Sequence, residues 1–338
     1  NDANGNVIHI YGTVIVAGDG VSTGGMTVGS GGGINAQQSS VVTLNGVTIT
    51  GNVAWCGGGI MSKGTLVIND ALITNNKATN YNASVASGGG VFIQQRGSFT
   101  MNGGEISNNE AIYQGGGVAL RPDVYLNKDP LNAPKFVMNG GSITNNKCSF
   151  AQSGTNGGGG GVAVTYDSTF TLNKGNIDNN LNTVNGSGGG VKVEYGALFE
   201  MNGGSVSGNR GTGGPGGGIL AENGGKVTIN NGNILNNAAG AGCGGGGIFM
   251  RDGANVLKFN DGLVKGNTCD GMGGGICVMG DTYASFAGGV ITGNKATGFG
   301  DGVAASTSLK YVDLCGPLVC YGNGTRDFRL DLGVKINV

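Results

Sequence analysis

Apolar residues along this chain return at every second position in runs of only three to five, and each run stops at glycine or asparagine. A period of two over so few positions predicts short strands; a helix would need apolar residues three and four apart over a longer stretch, and none does so. Three such runs recur in a fixed order. The first is Gly-Gly-Gly and an aliphatic residue, ending at Ile34, Ile60, Val91, Val118, Val162, Val191, Ile219, Ile248 and Ile276, with a worn copy in Gly300-Asp301-Gly302-Val303. Its last five steps are 29, 28, 29, 28 and 27 residues long.

The second run is apolar-x-apolar-Asn, as in Phe99/Met101/Asn102, Phe136/Met138/Asn139, Phe170/Leu172/Asn173 and Phe199/Met201/Asn202. The third carries one aliphatic column, Ile49, Ile73, Ile106, Ile143, Ile177, Val206, Ile234, Val264 and Ile291, and three residues later one asparagine column, Asn52, Asn76, Asn109, Asn146, Asn180, Asn209, Asn237, Asn267 and Asn294. Corners this short cannot reverse the chain as hairpins, so like strand must stack on like strand. The expected architecture is an all-β solenoid, a parallel β-helix of about ten coils with three short strands per coil and ladders about 4.8 Å apart. The aliphatic column is then the core. Asparagine suits the corners because it tolerates a left-handed backbone and can pair its amide with the amides above and below. The repeats occupy 31–303, an atypical coil or cap strand fills 1–30, and an atypical coil with a terminal strand fills 304–338.

Glycine supplies 75 of the 338 residues against 5 prolines, which suits regular corners and neither collagen nor a proline-rich linker. Charged residues are 12% and the formal net charge is −1, so the chain lacks the electrostatic footprint of a nucleic-acid or anionic-membrane binder. No run of about 20 apolar residues is present, so no membrane-spanning segment is expected. The first residues, Asn1-Asp2-Ala3-Asn4, read as the start of a processed product or a fragment.

Phe-x-x-Asn together with Gly-Gly-x-aliphatic resembles the passenger regions of polymorphic membrane protein adhesins and related adhesin-like surface proteins. The likeness runs from Gly31 to Gly275 in the glycine motif, and the third glycine stands where that family usually has alanine. The resemblance implies a right-handed β-helix, secretion, and an adhesive or coat function. It brings no catalytic residue, since the shared motifs are corner and core positions. An autotransporter would continue into a membrane barrel, for which the tail after Cys320 has no room.

Some β-helices are polysaccharide-degrading enzymes with carboxylates clustered on adjacent coils. The row following the aliphatic column reads Thr50, Thr74, Ser107, Thr144, Asp178, Ser207, Leu235, Lys265 and Thr292, which aligns no acids and is too interrupted for an ice-binding array. His9 is the only histidine, and the calcium-like stretches Asp2–Asn6 and Gly298–Asp301 have incomplete ligand sets. No catalytic residue, metal site or cofactor is therefore assigned.

Recognition is expected where the repeat is interrupted, because loops on a rigid scaffold carry it. Three interruptions fall in consecutive coils, and Tyr81, Arg121 and Tyr125 are the candidate contacts of one lateral patch for a glycan or protein receptor. Asn82, Asn185 and Asn323 open glycosylation sequons. Seven cysteines fit an oxidising compartment; Cys315 with Cys320, and Cys243 with Cys269, are candidate disulfide pairs.

Val7–Val16 and Phe328–Val338 alternate strongly, and strand edges at the ends of a rod invite pairing with other chains. Two functions of different class follow: an extracellular, non-catalytic adhesin-like or structural surface protein, and the subunit of an extracellular filament coupled head to tail, with the C-terminal strand donated to its neighbour.

Overall fold

The computed structural model describes residues 7–17, 30–79, 87–122, 132–149, 157–183, 188–240, 244–306, 309, 311–330 and 336–337. They form a parallel β-solenoid in which every coil feeds three sheets. No helix among them is long and apolar enough to cross a membrane. The glycine-led runs make an eleven-stranded sheet from Ile34–Ala36 to Phe328–Leu330. The second and third runs together make a twenty-stranded sheet; in the coils at Val41–Thr50 and Thr65–Thr74 they fuse into one ten-residue strand.

The third sheet was not foreseen. Its nine strands are two residues each, from Val53–Ala54 to Lys295–Ala296, and follow directly after the asparagine column. Their inward residues are small: Ala54, Ala78, Ala111, Cys148, Asn182, Gly211, Ala239 and Cys269 are all buried. A two-residue run has no alternation to read. Its small column lets this corner close tightly over the core.

Registers are strict. Ile106 pairs with Ile73 and Ile143, and Ile177 with Ile143 and Val206, so the aliphatic column is continuous and fully buried. Phe99, Phe136, Phe170 and Phe199 stack ring on ring at 4.3, 4.5 and 5.1 Å between centroids. Each buried Ile or Phe is worth about 1.5–3 kcal/mol over leaving it in water, and one core cluster runs the length of the rod.

The asparagine column is a buried hydrogen-bonded file. Asn180 shows the repeating pattern: its backbone N and Nδ2 both donate to Asn209 Oδ1, at 2.9 and 3.0 Å, and Nδ2 also donates to Ile143 O at 2.9 Å. Its own Oδ1 accepts the same pair from Asn146. A second file, from Asn45 through Asn102 and Asn173 to Asn260, links the outer corners by single exposed amide bonds of 2.7–3.0 Å.

Glycine at the first corner is dictated by contact as well as by conformation. Gly188 has φ +78, whereas a Cβ on Gly190 would meet Gly218 O at 2.7 Å and Asn209 Nδ2 at 2.9 Å. The third position must be glycine because the inner amide file and the next coil's carbonyl fill the space that a Cβ would need.

The repeat extends beyond both expected boundaries. Val7–Ala17 pairs in parallel with Val41–Thr50, Ile8 opposite Val42 and Val16 opposite Ile49, so the N-terminal segment is an ordinary coil strand. At the other end Cys320 pairs with Ile291 and takes the next place in the aliphatic column, and Asn323 takes the next rung of the inner file. Asp327 Oδ1 accepts from both Asn323 N, at 2.7 Å, and Nδ2, at 3.0 Å, and so ends the file. Phe328–Leu330 pairs with Val303–Ala305, and Ile336–Asn337 with Val312–Asp313. The strand expected to be donated to a neighbour is used over these residues within its own chain.

Asn180→Ala would leave the backbone N–H of Asn146 and one of its two Nδ2 hydrogens without an acceptor, the other staying on Ile106 O. It is expected to cost about 3–5 kcal/mol in urea unfolding, against under about 1 kcal/mol for Asn139→Ala in the exposed file. Equal effects at the two sites would refute the distinction between them.

Candidate functional site

From the second strand of the glycine-led sheet onward its outer side is largely covered. There the residue after each leading aliphatic forms a file, Met61, Phe92, Ala119, Ala163, Lys192, Leu220, Phe249, Cys277 and Ala304, and all are buried, whereas Asn35 in the first strand is exposed. Apolar clusters form at both ends of this file. Lys192 stands between them, and its ammonium lies 3.5 Å from Gly157 O.

Strand Val191–Glu194 and its neighbour Ile219–Glu222 place Glu194 opposite Glu222. Lys192 Nζ lies 3.1 Å from Glu194 and 3.0 Å from Glu222, and the Arg251 guanidinium lies 2.9 Å from Glu222. Gln114 donates to the other oxygen of Glu194. All three central groups are at most 2% exposed. Burial opposes the Lys192 ammonium, but the two carboxylates outweigh it and hold its pKa above the ordinary lysine value. Burial likewise opposes ionised Glu222, yet Lys192 and Arg251 prevail and hold its carboxyl below the usual range. For Glu194 burial wins and the pKa is raised, with Lys192 opposing and Glu222 adding to the rise. Two acids and two bases thus neutralise one another under cover.

Beside this cluster lies an aromatic ledge. Tyr166 and Tyr195 stack at 4.6 Å, and the Arg121 guanidinium sits 5.9 Å from the centre of the Tyr166 ring. Both tyrosines have left-handed backbones, φ 50 and 55, at a corner that other coils fill with Gln95, Asn223 or Asp252. A bulky residue there costs about 1–2 kcal/mol, and such strain gathers at functional sites. Tyr195 is 42% exposed. Burial, then the nearby Glu194, raises its phenol pKa.

Of the three residues expected in a lateral patch, Arg121 lies at this ledge, while Tyr81 and Tyr125 fall outside the described residues. So do Asn82, Asn185 and Cys243. Asn323 is no glycosylation site in this fold: it is fully buried, and Nδ2 donates to Ile291 O and Asp327. Cys315 and Cys320 are free thiols and not a disulfide. Cys320 points inward as a column residue, with its thiol toward Asp327 O, whereas the exposed Cys315 lies against Phe286 O. Cys269, also free, fills the small-residue column. Burial pushes the thiol of Cys148 up to about 12 and that of Cys320 up to about 11. Asp301, in a stretch resembling a calcium loop, is taken up by the backbone N–H groups of Ala296, Thr325 and Arg326.

The charged cluster was missed because acids were sought in the row after the aliphatic column. The signal lies in the row after the glycines, where Val-Lys-Val-Glu, Ile-Leu-Ala-Glu and Ile-Phe-Met-Arg follow one another. Comparison with family profiles, curated proteins and solved structures finds no match to this chain.

Two predictions follow from this geometry. Lys192→Met leaves two buried carboxylates around one remaining cation and should cost about 3–5 kcal/mol at neutral pH, while Lys192→Met/Glu194→Gln/Glu222→Gln recovers most of it. Without the ammonium the folded-state carboxyl pKa values rise, that of Glu194 further above its unfolded value, so the single variant's deficit should shrink as pH falls and the carboxyls take up protons. A pH-independent deficit would count against the assignment. Alkylation of unreduced, denatured protein should label both Cys315 and Cys320, and recovery of a peptide linking them would contradict the free-thiol geometry.

Proposed function

We propose that the chain is a non-catalytic, adhesin-like surface protein acting outside the cell, a stiff rod that presents a lateral recognition patch around Arg121, Tyr166 and Tyr195. One observation carries this reading: the acids and base of the central cluster, Lys192, Glu194 and Glu222, are sealed and paired, whereas beside them stand two stacked aromatics with strained backbones at a corner, Tyr195 exposed and Tyr166 partly so. Catalysis needs a group that reaches substrate, and Lys192, Glu194 and Glu222 are closed off from it. Recognition needs rigid aromatic surface with little order to lose on binding, which the ledge provides. The motif resemblance to adhesin passenger regions and the solenoid's long lateral faces agree with such a role.

The reading is tested by coating beads with the purified chain and measuring their retention on mucin and extracellular-matrix surfaces. Wild-type beads should be retained, and Arg121→Ala/Tyr166→Ala should lower retention about tenfold, within the range of one or two interface anchors. Failure of wild-type beads to adhere to any such surface would reject the adhesive role. Release of reducing ends from a polysaccharide panel, lost in Glu194→Gln, would reject the non-catalytic one.

A further inference from the structure

The file of corner residues that contains the ledge changes height abruptly. Tyr166 and Tyr195 follow one another along the rod, with Arg121 reaching the Tyr166 ring from the strand position just before the corner of the preceding coil, and the next two coils then place Asn223-Gly224 and Asp252-Gly253 at the same corner. Beyond Tyr195 the corner is low: the shorter Asn223 follows it in register, and a Cβ built on the adjoining Gly224 would have only the Gly196 nitrogen near it, at 3.8 Å. The Tyr195 ring, two fifths exposed, is therefore the last aromatic member of a stack that halts one coil short of two small polar corners.

The spacing of the stack suits a ring. Tyr166 and Tyr195 are 4.6 Å apart because their coils are, so a flat six-membered ring laid on Tyr195 takes the outer part of the place a tyrosine of the next coil would have filled, beyond the shorter Asn223. The surroundings choose among ring-bearing ligands. Asn223 supplies an amide donor and acceptor at the rim, and Asp252 an exposed carboxylate that accepts from hydroxyls and repels anions. The nearest cation on that side, Arg251, is already bound to Glu222 at 2.9 Å and to Asp252 at 3.3 Å, so an acidic ligand gains little there. An apolar ring face bordered by hydroxyl partners, without net positive charge, matches a neutral sugar.

We infer that Tyr195, Asn223, Gly224 and Asp252 form a subsite for one pyranose ring of a neutral glycan. The ring stacks on the part of Tyr195 that the shorter Asn223 leaves uncovered, beside Gly224, with its hydroxyls on the Asn223 amide and the Asp252 carboxylate. The strained backbone at Tyr195 is kept because it presents the aromatic face along the rod axis. This rests on the recognition reading above and names its ligand class.

The test is calorimetric titration of the wild-type chain with cellohexaose, xylohexaose, mannohexaose and chitohexaose, and with a heparin oligosaccharide as the anionic counterpart. At least one neutral hexasaccharide should bind. Tyr195→Asn, which installs the next coil's residue and relieves the strain, should weaken it about tenfold with no fall in the thermal unfolding midpoint, and Tyr195→Phe should stay close to wild type. Equal affinity in Tyr195→Asn, no binding by any neutral hexasaccharide, or binding of heparin alone would overturn the subsite. The same variants on the bead assay separate the two proposals. Wild-type adhesion unchanged in Tyr195→Asn sinks only the subsite, whereas beads that never adhere sink the adhesive reading itself.

Discussion

The distance between neighbouring parallel strands, about 4.8 Å, governs this molecule. Because each coil sits one such step above the last in strict register, every side chain has its own equivalents as nearest neighbours, and a residue type is acceptable only if it packs or bonds with copies of itself. Phenylalanine stacks at this distance, branched aliphatics interlock, and a carboxamide reaches the amide above while accepting from the one below. Lysine beside lysine would fail, which is why buried Lys192 has apolar neighbours in its own file and finds its carboxylates in the adjacent one.

The same rule explains what could be read from the sequence. Columns that keep one residue type, such as Ile106 to Ile177 and Asn109 to Asn180, announce themselves through spacing alone, and the solenoid follows from them. Columns that hold only a size are silent. The two-residue strands keep a small inward residue that is variously Ala, Cys, Gly or Asn, and Cys148 and Cys269 look like redox chemistry until their role as small apolar fillers is seen. The final turn hid for a related reason: Cys320 stands where isoleucine is usual, so its nearness to Cys315 suggested a bond that inward and outward orientations forbid.

At the candidate site the sequence showed Arg121 and not its partners. Tyr166 and Tyr195 follow their strands at a corner where the backbone turns left-handed, a conformation that tyrosine does not advertise. Lys192, Glu194 and Glu222 alternate with Val191, Val193 and Ala221 as surface residues of a two-faced strand would. Gln114 and the Gly157 carbonyl, which lie just ahead of glycine runs and outside the alternating strands, join them in a buried network.

The inner asparagine file has a direction. In the bonds between asparagines every amide donates toward the C-terminal end and accepts from the N-terminal side, while its second Nδ2 hydrogen goes back to a carbonyl of the preceding coil, so the Asn-to-Asn bonds all point one way along the rod. Asp327 closes the donor end with a carboxylate, an acceptor that passes nothing onward. Duplication or loss of a whole turn upstream leaves each remaining amide with the same two neighbours and leaves that terminus intact. Reach is therefore a quantity that evolution can adjust in this rod one turn at a time without redesigning the carboxylate that closes the file.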